Sequence, residues 1–202
     1  MNMDFYKAIE QRRSIYALGK TKIKSEAKIV EIITFALKHV PSAFNSQSTR
    51  IVVLFNKESE KFWKITQGAL KKVAPPKVFE NTKKKIAEFN AGFATILFFE
   101  DQEVVKKLMT QFELYKDNFP LWSHQTNGMH QFAIWTALSG EGLGASLQHY
   151  NPLVDEEVKK TWKMPSSWNL LAQMPVGSVE SPAPEKSYDP IEERLLVFGK
   201  KE

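Results

Sequence analysis

The chain contains no cysteine. Disulfides, thiolate metal sites, thiol nucleophiles and cysteine-held iron–sulfur clusters are therefore excluded, and any redox chemistry has to come from a bound cofactor. It also lacks an apolar run approaching the ~18 residues that mark a membrane-spanning helix. The opening stretch, residues 1–14, mixes acids with an amphipathic spacing where a secretory leader would need apolar continuity. A cytoplasmic protein that does not enter a membrane is the expectation. Repeats and low-complexity segments are missing too, and the proline-containing stretches are too short to separate domains, so residues 1–202 read as one domain. No P-loop, no dinucleotide fingerprint and no G-x-S-x-G nucleophile elbow occurs. The four histidines, His39, His124, His130 and His149, have no partners at zinc-motif spacing, so no metal is expected.

What is present is close to globular average, 43% hydrophobic and 25% charged. Fourteen Phe, five Trp and five Tyr supply both a core and the walls of a pocket for a planar ligand. The net charge of +5 comes largely from short runs such as Lys71–Lys72 and Lys83–Lys85 that suit solvated helix faces. With no recognition motif beside them, nucleic-acid binding is not expected.

Apolar spacing predicts helices over residues 3–13 and 26–40, the second carrying Ile29, Ile32, Ile33, Ala36 and Leu37 and ended by Pro41. A long helix is predicted over 122–141, with apolar residues almost all round it, as in a helix buried in a core or between subunits. A further helix is expected around 155–163. Residues 51–55, 94–99, 169–174 and 195–198 read as strands. The expected class is α+β, with a small, mostly antiparallel central sheet covered by helices.

Three polar segments stand out. Arg12-Arg13-Ser14 brings two guanidiniums and a hydroxyl together, suited to gripping a phosphate by forked hydrogen bonds; two arginines at a helix C-terminus would also complement its dipole. Residues 41–50, PSAFNSQSTR, lie between an apolar helix and an apolar strand, and can present Asn45, Ser46 and Gln47 to a ligand or satisfy their own backbone. Residues 140–152, GEGLGASLQHYNP, have closely spaced glycines that let backbone approach something flat, or that simply cap a helix and lead into a strand.

Together these segments resemble the nitroreductase family of FMN-dependent enzymes, most closely its small branch related to fatty-acid repression proteins. The likeness spans nearly the whole chain and rests on Arg12–Ser14, on Pro41–Gln47, and on the stretch from Trp122-Ser123 through Gly128-Met129 to Gly142–Pro152. It implies a homodimer with FMN at the subunit interface. Arg12 and Ser14 would hold the phosphate with Lys200 or Arg194, and Arg13 would lie alongside the flavin. Asn45, Ser46 and Gln47 would reach the cofactor from the partner subunit, and backbone around Leu147, Gln148 and His149 would face the reactive edge of the ring. Phe119, Trp122 and His124 would line the acceptor pocket. The sequence departs from better-known members where Ser48-Thr49 replaces the Pro-Trp that often follows the glutamine, which loosens the substrate assignment. The implied activity is transfer of a hydride from NADH or NADPH, through FMN, to a nitroaromatic, quinone or similar acceptor, with no catalytic side chain because the flavin carries the chemistry. An FMN-binding redox sensor with little turnover is the alternative.

Overall fold

The computed structural model describes residues 4–200. Five strands form one sheet in the order β1 (Leu18–Gly19), β5 (Trp168–Val179), β3 (Ala94–Asp101), β2 (Thr49–Phe55), with β4 (Gly144–Ala145) also on β5, and every pair is antiparallel. Central β3 is buried along its whole length, which explains its unbroken apolar run. Its side chains alternate between two cores. Ile96 and Phe98 pack with Ile29, Ile33, Ile134 and Leu138, whereas Leu97 and Phe99 pack with Phe62, Trp63 and Phe89.

The first core is covered by α2 (Glu26–His39) and α6 (Phe119–Gly140), the second by α3 (Lys57–Val73), α4 (Pro76–Asn90) and α7 (Asp155–Trp162). Helix α2 begins where Ser25 caps the Lys28 amide and ends at the Val40 cap before Pro41. Trp63 is fully buried and satisfies its indole N–H on Thr95 Oγ1 at 2.9 Å. Two short helices complete the order, α1 (Phe5–Gln11) and α5 (Gln102–Gln111). Among the described residues no helix is long and apolar enough to cross a membrane.

Two expectations need correction. Helix α1 ends at Gln11, two residues short of the expected end, so that Arg12 is its C-cap on extended backbone and Arg13 and Ser14 lie beyond it. Residues 195–198 form no strand: Leu195, Leu196, Val197 and Phe198 are 58–87% exposed on an irregular tail. Their β-forming side chains have no strand beside them in the same chain, and strand propensity without a pairing edge does not make a strand.

Candidate cofactor site

After α1 the chain turns back along β4, and the Ile15 amide donates to the Ala145 carbonyl at 2.9 Å. Gly144 permits that approach, because a Cβ there would lie 2.9 Å from Leu18 Cδ2 and 3.0 Å from Ile15 Cγ2. The Arg12 guanidinium is laid 4.3 Å above the Trp135 ring, and the Trp135 indole N–H donates to the same Ala145 carbonyl at 3.2 Å. Arg12 Nε is buried without a hydrogen-bond partner, and Arg12 makes no ion pair among the described residues. Burial, and then the neighbouring positive charge of Arg13, hold its pKa below the ordinary arginine value. Arg13 Nη2 reaches the Pro184 carbonyl of the tail at 2.6 Å. Ser14 is half-buried beside them.

The same neighbourhood holds the stretch after β4. Gln148 and Gln173 exchange backbone hydrogen bonds at 2.7 and 2.9 Å, which aims the Leu147 and His149 amides away from β5, and neither amide makes a backbone hydrogen bond among the described residues. Phosphate-type donors and free backbone amides therefore share one region. His149 is exposed.

The second polar segment stands elsewhere, before β2. Phe44, Asn45 and Gln47 have φ of 55°, 51° and 48°, a left-handed conformation that is uncommon outside glycine. Ser42 Oγ accepts from the Gln47 amide at 3.1 Å, and the Gln47 side-chain amide donates to Asn45 Oδ1 at 3.1 Å. The Phe44 ring anchors the turn in an aromatic cluster, 4.7 Å from Phe112 and 6.0 Å from Trp122 in near-parallel stacking. Of the expected acceptor-pocket residues, Trp122 is half-buried in that cluster, Phe119 is only 2% exposed behind it, and His124 is exposed. A cavity of about 320 Å³ opens beside Gln47, lined among others by Ser42, Arg50, His130 and Trp168 and by none of Arg12–Ser14 or Leu147–His149. The two polar regions of the chain are thus separate. Arg194 and Lys200 lie on the exposed tail, and neither side chain hydrogen-bonds within the described residues.

The chain belongs to the nitroreductase family. The family model, described as the nitroreductase family, matches residues 9–178. HBN1 of Saccharomyces cerevisiae, a protein assigned to the nitroreductases, is 33% identical over 187 residues, 91% of this chain and 92% of its own. The nitroreductase CinD from Lactococcus lactis, solved with nicotinic acid, superposes with a TM-score of 0.89 at 47% identity, covering 96% of this chain and all of its own. CinD has also been solved with 4-nitrophenol. A nitroreductase homologue from Desulfovibrio desulfuricans, solved in complex with FMN, shares the fold with a TM-score of 0.68 at 20% identity over the whole of both chains. Family membership makes this chain an oxidoreductase with helices packed on a mostly antiparallel sheet.

One buried group was missed at the level of sequence. Glu100, fully buried at the end of β3, accepts from Thr49 Oγ1 at 2.7 Å and from Asn127 Nδ2 at 2.9 Å through one oxygen, while the other has no partner. Gln131 donates to Asn127 Oδ1 at 2.7 Å, and buried His130, one turn along, makes a 3.0 Å hydrogen bond with the Thr126 carbonyl. Burial lowers the His130 pKa against the raising effects of that carbonyl and of Glu100. The available signal was Ser123, Asn127 and His130, polar residues recurring at helical spacing in the predicted long helix.

Proposed function

We propose that the chain is an FMN-dependent NAD(P)H oxidoreductase that reduces nitroaromatic, quinone or similar small acceptors, working in the cytoplasm as a homodimer with FMN at the subunit interface. The observation that carries this reading is Arg12. Its Nε is buried and unpartnered, the positive charge of Arg13 bears on it, and among the described residues neither arginine forms an ion pair with a carboxylate. A phosphate group fits that demand. Ser14 would add a donor to it, with Lys200 or Arg194 brought up by the tail.

The free Leu147 and His149 amides beside Gln148 suit the polar edge of a flavin ring, and Arg13 suits the negative charge that gathers there on reduction. Bound FMN would supply the hydride-transfer chemistry that links NADH or NADPH to the acceptor. The chain's own work is to orient the ring, neutralise charge and shape one place that donor and acceptor occupy in turn. Asn45, Ser46 and Gln47 would close the site from a second copy. Trp122, with Phe119 behind it and His124 at its rim, would form the aromatic wall for the acceptor. The 4-nitrophenol bound to CinD supports a nitroaromatic-sized pocket here.

Two surfaces support the homodimer. Among the described residues strand β2 pairs only with β3 and leaves an open edge, while Leu195–Phe198 is an exposed apolar segment that pairs with no strand. A groove of about 750 Å³ between α1, α2 and α6 exposes Phe5, Phe35 and Phe132 at 67%, 64% and 40%. The test is to purify the protein, identify any released chromophore, and follow NADH and NADPH oxidation with 4-nitrophenol-like and quinone acceptors. Stoichiometric FMN with sustained turnover is expected. FMN binding with turnover no faster than free FMN would convert the reading to a redox sensor, and failure to take up FMN would overturn it.

A further inference from the structure

We propose that the Arg50–Asp101 ion pair clamps the Ser42–Ser48 turn, making both residues positioning residues that act through Gln47. The inference rests on the reading above in which that turn meets the flavin. Three non-glycine residues at positive φ are a costly local conformation and persist only where the surroundings over-determine them. The bonds among Ser42, Asn45 and Gln47 hold the turn to itself and do not fix it relative to the sheet.

The fixing is done from β2 and β3. Arg50 Nη1 donates to the Gln47 carbonyl at 2.7 Å and to the Thr49 carbonyl at 3.2 Å, while its Nη2 donates to Asp101 Oδ2 at 3.1 Å. The Asp101 amide donates to the Ser48 carbonyl at 3.0 Å, and its second carboxylate oxygen accepts from the Glu103 amide at the start of α5. Asp101 is therefore anchored to a helix and Arg50 to a strand, and the guanidinium fork spans from one to the turn. A lysine ammonium could still pair with Asp101 but lacks the planar fork that reaches two groups in fixed directions. The side chains are 30% and 12% exposed, so water competes only in part.

The test uses Arg50→Lys, Asp101→Asn, which retains a helix-capping oxygen, Gln47→Ala, and the Arg50→Lys/Gln47→Ala double variant. In cofactor-free protein, Arg50→Lys is expected to speed amide hydrogen exchange across residues 42–48 about tenfold, as expected for loss of one charge-assisted hydrogen bond, with the rest of the sheet unchanged. Asp101→Asn should move the same amides in the same direction. In FMN-loaded protein the reductive half-reaction should slow about tenfold in Arg50→Lys and in Gln47→Ala, and no further in the double variant, because both lesions remove the same placement. Unchanged exchange in Arg50→Lys overturns the clamp, whatever the cofactor does. Single-variant losses that multiply in the double variant overturn action through Gln47. A wild type that takes no FMN overturns the functional reading instead, and exchange in the cofactor-free protein distinguishes that failure from failure of the clamp.

Discussion

On the reading proposed above, replacing Arg12 by alanine should weaken cofactor binding and leave folding nearly unchanged. Its guanidinium is preoriented by stacking 4.3 Å over Trp135, so little freedom remains to be lost when an anion arrives. Forked charge-assisted bonds to a phosphate are worth about 2–3 kcal/mol. Losing them corresponds to roughly 30- to 150-fold in Kd. The cofactor-free protein should hardly notice. Arg12 has no ion pair to lose within the described residues, its removal relieves repulsion from Arg13, and the forfeited stacking is about 0.5–1 kcal/mol. The assay is FMN titration into cofactor-free wild type, Arg12→Ala and Arg12→Lys by quenching of flavin fluorescence, alongside urea unfolding without FMN. Lysine should fall between the other two, since it keeps the charge and loses the fork. An Arg12→Ala protein that binds FMN as tightly as wild type refutes the phosphate assignment. One that loses more than about 2 kcal/mol of stability without FMN shows that the residue is structural.

Asn127→Ala should destabilise the fold by about 2–3 kcal/mol in urea unfolding, because it strips a donor from a buried carboxylate that already has one oxygen unpaired. Burial favours neutral His130 in the folded chain, so below its ordinary value of 6.5 the unfolded chain takes up a proton that the folded chain resists. Stability should therefore fall as pH drops from 6.5 towards the lower folded pKa, and His130→Asn, compared with wild type by urea unfolding between pH 7.5 and 5, should flatten that part of the profile. Gly177→Ala should cost about 1–3 kcal/mol, since its Cβ would lie 2.5 Å from the Gly19 carbonyl and 3.0 Å from Gly92 Cα, backbone that cannot step aside. If the proposed dimer forms through the tail, Leu196→Asp/Phe198→Asp should leave the folded chain intact by circular dichroism but lower the mass measured by light scattering from dimer to monomer and weaken FMN uptake.

The sequence was most legible where structure is local. Ile29, Ile32, Ile33 and Ala36 follow one helical face, Ser25 caps it and Pro41 follows it, so α2 could be drawn to within a residue. The run in β3 was equally plain, because a strand buried on both faces needs no alternation. Legibility failed where a group is defined by a distant partner. Glu100 meets Thr49, and Asp101 meets Arg50, each across 51 residues and only through the β2–β3 register. No spacing rule announces such a pair. The tail failed in the opposite sense: Leu195–Phe198 has strand composition, but composition states a preference and an edge has to satisfy it.

The separation of the two polar regions follows from how α6 uses its surface. Ile134 and Leu138 are fully buried against the sheet, yet Met129 and Phe132 on the remaining surface are 42% and 40% exposed, so the apolar character that nearly circles the helix is only partly satisfied within one chain. Trp135 on the same helix carries the Arg12 guanidinium, and Trp122, three and a half turns earlier, carries Phe44 and with it the Ser42–Ser48 turn. Both polar regions thus rest on one helix, at separate positions along it. In the proposed dimer, a second copy covering the exposed surface of α6 supplies each phosphate-gripping region with a turn from the other chain. That arrangement demands that the turn be set before assembly, since a loop that ordered only on docking would subtract its conformational entropy from association. The Arg50–Asp101 pair and the aromatic seat of Phe44 meet that demand from inside the protomer.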